Sequence, residues 1–474
     1  MFQTLKNAWK TPELKSKILF TLMIVILYRL GSNLPMPWVN PERLQVMFGA
    51  GGSALSWWNT LSGGALAQAT LFALSVSPYI TASIVIQLLT IAIPKFEEWA
   101  KEGEAGKKKL SAITRVLTVG LALVTAIGYT MLMDRNNMMS YGTWSSTGVL
   151  NLAEGWKLWG VWIARIVLVL AYCAGASVIM WLAEKINEHG IGNGISIILF
   201  ANIIARFPTM VASIWNRCFT QWNIFGENGA WAVDFNWRYI QWPIGGVLMV
   251  LFAAVLLFAV VAVVWFSNSE RRIPVQYAKR VVGRKMYGGQ STTLPIKLDM
   301  AGVMPVIFAS SIVSLLPTIA GFFPSSGFSK FVNNYLGHTT FPYIAMQIIL
   351  IVAFAYFYIS ISFNPVEVSN NLRNNGGAIP GIRPGKPTVD YIKKILNRIT
   401  LLGAIFLCGL SGLPMIVNAI WVAFETAMGH ANPSGIQELA FGGTSLLIVV
   451  GVALETFREL EAQMTLRNYK GFLD

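Results

Sequence analysis

Charge is scarce in this 474-residue sequence: Asp, Glu, Lys and Arg together make up 12% of it, about half of what a soluble domain carries. So little polar material cannot cover the surface of a water-soluble protein of this length. A soluble protein with an oversized apolar core is excluded by run length, because apolar stretches of about 20 residues, enough to span a bilayer, recur along the chain. Cysteine is scarcer still. Cys173 and Cys408 lie inside apolar runs and Cys218 in a connecting segment, which leaves neither a disulfide framework nor a metal-ligand spacing. The three histidines, His189, His338 and His430, are far apart, and neither H-E-x-x-H nor G-x-S-x-G occurs, so no hydrolase site is visible. GIGNGIS, Gly190 to Ser196, has no βαβ unit around it and reads as a helix start rather than a phosphate turn. Asp and Glu are almost absent from the interiors of the apolar runs, which argues against an ion or proton pathway.

What is present is the pattern of an all-α polytopic membrane protein. Ten candidate spans cover roughly 18–35, 71–93, 112–133, 160–183, 191–211, 244–266, 300–322, 343–363, 399–420 and 441–457. Of the 36 basic residues, 27 fall on one alternating set of segments: the N-terminus, 94–115, 184–190, 267–299, 364–398 and 458–474. The positive-inside rule puts that side, and both ends of the chain, in the cytoplasm. The N-terminal MFQTLKNAWKTPELKSK is basic and amphipathic without a small-residue cleavage site, so it is expected to be retained. The tryptophan-rich segments on the other side fit an outer interface belt. Two groups of five spans permit an inverted pair. The expected division is a tail at 1–17, a half at 18–211, an external loop at 212–243, a second half at 244–457 and a tail at 458–474.

Two stretches stand out. SWWNTLSGGALAQATLF, Ser56 to Phe72, is too polar and too rich in glycine to span alone. It reads either as an external interfacial loop or as a piece at membrane depth covered by protein or water. PGIRPGKPT, Pro380 to Thr388, frames one arginine with proline and glycine in a long basic loop. Topology alone explains basic loops; a rigid, proline-framed arginine exceeds that need and suits docking to carboxylates or phosphates.

These stretches belong to a longer pattern. SGGALAQATLFALSVSPYITASIVIQLLT (62–90), KEGEAGKKKLSAITR (101–115) and INEHGIGNGISIILFANII (186–204) are followed by ERRIPVQYAKRVVGRKMYGGQSTTLPIKLDMAGVMPVIFASSI (270–312). FNPVEVSNNLRNNGGAIPGIRPGKPTVDYI (363–392) and FGGTSLLIVVGVALETFRELEAQM (441–464) complete the series. In order, spacing and span count the chain resembles the bacterial SecY family, channel subunits of the general protein translocase. Only the external segment around 210–242, long and rich in tryptophan, is less typical.

The resemblance implies a clamshell of two five-helix halves around an hourglass pore, with a seam that opens sideways to lipid. It assigns a pore ring to Val76, Ile80, Ile195, Leu199, Ile307 and Ile448. Aliphatic side chains offer water and ions no hydrogen bond, so a narrow neck of them dewets. The ordinary alternative for each is core packing or lipid contact, although Val76/Ile80 and Ile195/Leu199 do share helical faces at i, i+4. The 56–72 segment matches the family's plug, a half-helix centred on Thr60, Leu61, Ser62, Gly63, Gly64, Ala65 and Leu66. The sideways seam is assigned to the second and third spans facing the seventh and eighth. There Ser83, Gln87, Ser310 and Ser311 are placed either to bond across it or to back-bond to their own helices. Loops 267–299 and 364–398 resemble the docking loops for the ribosome or the motor ATPase SecA, with Arg383 foremost and Arg271, Arg272, Lys279, Arg280, Arg284 and Lys285 beside it. Implied partners are the small subunits SecE and SecG, the ribosome, SecA, the bilayer, and secretory or membrane-protein substrates with signal sequences. No catalytic role and no cofactor is implied for this chain; ATP would be consumed by the motor. The expected activity is conduction of unfolded polypeptides across the cytoplasmic membrane and lateral release of apolar segments. A small-solute secondary transporter of similar span number is the alternative.

Overall fold

The computed structural model of the chain describes residues 9–49, 59, 62–135, 138–139, 154–219, 238–277, 280–282, 285–287, 291–300, 302–322, 326–335, 341–427 and 437–470. Helix α1 (Pro12–Gly31) is followed by a short α2 (Pro41–Gly49), α3 (Ser77–Ala92), α4 (Pro94–Lys101), α5 (Glu104–Arg135), α6 (Glu154–His189) and α7 (Gly194–Phe219). After α8 (Arg238–Asn268) come strands β1 (Glu270–Tyr277), β2 (Arg280–Val282), β3 (Lys285–Tyr287) and β4 (Ser291–Lys297). The chain continues through α9 (Met304–Phe322), α10 (Gly327–Tyr335), α11 (Phe341–Ser362), α12 (Pro365–Asn374), strand β5 (Gly377–Ala378), α13 (Lys386–Ala427) and α14 (Gln437–Lys470).

Each of the ten apolar runs has its own long helix: α1, α3, α5 to α9, α11, α13 and α14. By length and composition alone, five helices among the described residues are apolar enough to cross a membrane. A sixth qualifies if α3 and α4, bent by 102° at Ile93, count as one broken span. The fold is an all-α polytopic one, with small strands confined to a loop region. Several helices overrun the apolar runs that define them. The 42 residues of α13 extend for about 63 Å at 1.5 Å per residue, against a hydrocarbon core of about 30 Å. Segments expected as basic loops are thus partly helical, including Lys107 to Lys109 on α5 and Lys393 and Lys394 on α13. Likewise Cys218, expected in a connecting segment, falls in the last turn of α7.

Local sequence explains the shorter elements. Pro94 opens α4 and Pro365 opens α12, positions where a missing N–H costs nothing. At α12 the Asn364 side chain accepts a hydrogen bond from the Val366 amide at 3.1 Å, an ordinary N-cap.

Helices α5 and α6 run side by side and are tied near both ends. Arg115 Nε meets Glu184 Oε1 at 2.7 Å, and Arg165 Nη2 meets Asp134 Oδ2 at 2.6 Å. Part-exposed pairs of this kind contribute up to about 1 kcal/mol each. The Arg165 guanidinium also lies 5.0 Å from the Trp162 ring centroid, so this charge near a span end is held in a structural pair. In the later part of the chain α9, α11, α13 and α14 pack in series. The earlier and later helices meet along two lines: α7 lies against α8 and α14, and α9 lies against α3 and α5. One continuous apolar core fills the space between them.

Candidate functional site

The centre of that core is built from stretches far apart in sequence. Val76 sits at the N-cap of α3 and Ile80 one turn inside it. Ile195 and Leu199 lie in the first turns of α7, Ile307 in the first turn of α9, and Ile448 in α14. Val76, Ile80, Leu199, Ile307 and Ile448 are 0–5% exposed, and Ile195 packs against them half-buried. All six side chains therefore belong to one continuous apolar core, to which four helices contribute them. A neck of this composition has no donor or acceptor to hold water.

Against the cluster lies the chain from Ser62 to Val76. Among the described residues of the segment, Asn59 is helical and Ser62 to Val76 run as a succession of turns, and the helix of the second span begins at Ser77. Gly63 and Gly64 have φ of 68° and 92°, and Ala69 and Ser75 have φ of 47° and 51°. The left-handed region breaks any helical run, and it costs a non-glycine residue about 1–2 kcal/mol. Thr60 and Leu61 lie outside the described residues; Ser62, Gly63, Gly64, Ala65 and Leu66 are within them.

The turns close on local polar groups rather than on a helical ladder. Asn59 accepts from the Ala67 amide through Oδ1 at 3.0 Å and from the Gly64 amide through its carbonyl at 2.9 Å. Ser62 Oγ accepts from the Leu66 amide at 3.1 Å, and Tyr129 donates its hydroxyl to the Leu66 carbonyl. Leu66, Ala67, Ala69, Phe72, Ala73 and Leu74 are buried in the same core as the neck. Phe72 stacks on Tyr28 of α1 at 5.6 Å and 8°. It also fills the space that any side chain at Gly31 would need, since a Cβ there would lie 2.1 Å from the Phe72 ring. The segment is seated tightly, yet its small residues bury little area each.

At the line where α9 meets α3 and α5, the polar residues serve their own helices. Gln87 Nε2 approaches Ser83 Oγ at 3.5 Å one turn away, and Ser310 donates to the Val306 carbonyl of its own turn. Of the two alternatives open for these residues, the bonds of Gln87 and Ser310 stay within their own helices, since back-bonding satisfies a hydroxyl without ordering a second helix. Ser311 lies half-buried beside Ser310.

The two basic loops are joined. Strand β1 pairs antiparallel with β4, from Glu270↔Lys297 to Gln276↔Ser291, and with β5 through Gln276↔Ala378 and Tyr277↔Gly377. The sheet order is β4-β1-β5. Alternate side chains point inward: Ile273 and Ile296 are buried with Ile379, Ile392, Leu396 and Ile399 in a second, smaller core on the overrunning part of α13.

The Pro380–Thr388 turn stands on this base. Gly381 and Gly385 take φ of 82° and 105°, which only glycine adopts freely. The carbonyl of Gly385 accepts from Ser369 Oγ at 3.2 Å, and that of Arg383 accepts from Thr388 Oγ1 at 2.9 Å. The Arg383 side chain is exposed. Arg271 and Arg272 are exposed on β1, Arg272 bonding Glu270 at 2.7 Å. Arg280 and Lys285 lie on the paired strands β2 and β3 with their side chains outside the described set, as are Lys279 and Arg284 entirely.

Beneath the sheet, Arg458 of α14 donates to the Ser267 carbonyl at 2.6 Å and to Asn268 Oδ1 at 2.9 Å. Ser267 Oγ donates to the Asp299 carboxylate at 3.2 Å. Burial pushes the Asp299 carboxyl above its ordinary value, with the Ser267 hydrogen bond opposing the shift.

The sequence model of the SecY family matches residues 70–457. The chain belongs to the SecY family. It is 41% identical to the protein translocase subunit SecY of Streptomyces coelicolor over 478 residues and 40% identical to that of Mycobacterium tuberculosis over 486, covering 100% of each chain. Its fold is similar to a solved SecY structure described by a plug domain that stabilises the closed state of the translocation channel. That likeness has a TM-score of 0.57 at 16% identity and covers 97% of both chains.

Two features of this SecY-family chain are missing from the sequence reading. One is the β1–β5 pairing that makes a single platform of two loops; the alternation in ERRIPVQY, with Ile273 and Val275 inward, was its only signal. The other is Asn202 of α7, fully buried one turn beyond Leu199 and bonded to Ser75. Its neighbour is fixed by turns that no periodicity encodes.

Proposed function

We propose that this chain is a protein-conducting channel of the cytoplasmic membrane, passing unfolded polypeptides through the neck and releasing apolar segments sideways between α3/α5 and α9. The observation that supports the reading is that six aliphatic side chains from four helices share one core with the turns of Ser62–Val76. An aliphatic ring grips no particular sequence and therefore admits many. Plug displacement and a widened neck would be the open state. The joined basic loops face the cytoplasm, as their Lys and Arg content requires, and form one docking platform for SecA or the ribosome with Arg383 at its tip. SecE and SecG complete the complex. ATP is used by the motor, and this chain needs no cofactor of its own.

Nothing in the family match or the fold favours a small-solute transporter. The test is reconstitution in vesicles with SecE, SecG and SecA. A signal-bearing precursor is expected to become protease-protected only when ATP and this chain are both present. Saturable uptake of a small solute by the chain alone, without precursor protection, would contradict the proposal.

A further inference from the structure

Just beyond the neck lies a polar contact that the aliphatic ring does not need. Asn202 is 0% exposed and Ser75 2%. Asn202 Nδ2 donates to Ser75 Oγ at 3.2 Å. Ser75 immediately precedes ring residue Val76, and Asn202 follows ring residue Leu199 by three positions. The hydroxyl of the fully buried Tyr28 is turned toward the same pair. At the other end of the segment of turns, Gly63 sits against the same asparagine. A Cβ there would be 3.1 Å from the Asn202 carbonyl oxygen, its Oδ1 and the Arg29 guanidinium. Asn202 thus bonds one end of the segment, at Ser75, and leaves little room for a side chain at the other, at Gly63.

We propose that Asn202 is the latch of the closed channel: a positioning residue that bonds the 63–75 segment at Ser75, flanks it at Gly63, and sets how often the segment leaves the neck. This deepens the channel reading and rests on it. Three features argue for a latch over ordinary packing. A buried amide is costly unless bonded, so its presence in the core calls for a partner, and Ser75 is one. Ser75 holds a left-handed backbone conformation at φ 51°, strained for a serine and released when the segment leaves. Asn202 also comes from α7, which packs against α8 and α14 along the line where the earlier and later helices join. Relative motion of those helices would therefore withdraw the latch. An amide–hydroxyl bond is strong enough to bias a two-state equilibrium without locking it.

The test uses the full chain in its native membrane complex, with Cys173, Cys218 and Cys408 replaced by serine and a cysteine placed at Leu66. The readout is the rate of labelling by a charged, membrane-impermeant methanethiosulfonate in the resting state. N202L and S75A are each expected to raise that rate about three- to tenfold. The double variant is expected to go no further than either single one, because the two changes remove the same contact. S75A is the milder change and keeps the test decisive if N202L assembles poorly. Q347L is the control. It removes a comparable buried bond, Gln347 to Ser411 at 3.1 Å, away from the segment, and is expected to leave labelling unchanged. Unchanged labelling in S75A, effects that multiply in the double variant, or an equal rise in Q347L would each overturn the latch. The measurement needs no exported substrate, so its failure leaves the channel reading standing. Failure of precursors to enter the neck would sink that reading while labelling stayed measurable.

Discussion

Gln276 in one basic loop and Ala378 in the other are cross-strand partners in a single three-stranded sheet. The two loops, about a hundred residues apart in sequence, are therefore one body. That body is fixed to the membrane helices by the apolar contacts of Ile273, Ile296, Ile379, Ile392, Leu396 and Ile399 and by the bonds of Arg458 to the end of α8. Arg458 lies on α14, the helix that carries Ile448 into the neck. A force applied to the platform thus has a short route to Ile448, through the Arg458 hydrogen bonds and along α14.

Arg383 should separate docking from folding. Its side chain is exposed, and only its backbone carbonyl holds the turn, so replacing the side chain should change stability by no more than about 0.5 kcal/mol. Arg383→Glu is expected to abolish SecA-driven export while the protein stays inserted at normal abundance. Export at the parental rate from membranes of this variant would remove Arg383 from the docking surface.

The platform's own core gives a different signature. Truncating Ile273, 2% exposed, should cost about 2–5 kcal/mol locally. Ile273→Ala is expected to speed protease cleavage within 270–297 and 377–388 without altering cleavage elsewhere. Equal protection of both loops in the variant would show that the sheet does not stabilise them.

Ring polarity is testable by one amide. Ile80→Asn or Ile448→Asn places hydrogen-bonding groups in a neck that otherwise has none, so water entry becomes favourable. Higher resting ion conductance in planar bilayers, or passage of precursors with defective signal sequences, is the expected result. If neither changes in either variant, these residues do not line the passage.

Asp299 predicts a pH dependence. Burial raises its carboxyl pKa, so the charged form is penalised in the folded chain. The sign follows: that penalty is absent below the unfolded-state value and grows as pH rises through the folded one. Asp299→Asn is expected to raise the thermal midpoint in detergent at neutral pH, with the gain shrinking in acid. A variant that is less stable at neutral pH would show instead that the carboxylate is needed charged.

How much of this was legible in the chain differs by element. The long helices were, because a bilayer demands about 20 apolar residues for each crossing, and runs such as 343–363 satisfy that without tertiary help. Helix ends were not. Lys393 and Lys394 read as loop charge, yet α13 continues through them because a solvated lysine does not stop a helix. The Ser62–Val76 segment resisted for another reason: Ala69 and Ser75 carry positive φ, held by contacts from α1, α5 and α7 rather than by their own propensity. Ser83 and Ser310 illustrate a choice that sequence leaves open, between bonding across a seam and bonding back, which local carbonyls decided. The ring positions came from family resemblance; what the structure adds is that the side chains share one cluster.

The most direct measurement is a disulfide or bifunctional cross-link from a stalled secretory polypeptide to cysteines placed at Ile80 and Ile307, which lie on helices from the earlier and later parts of the chain. Both positions should capture the stalled chain, at the same stretch of its sequence, and neither should do so when the precursor lacks a signal sequence. A stalled chain that is transported yet never captured at either position would contradict passage through the neck.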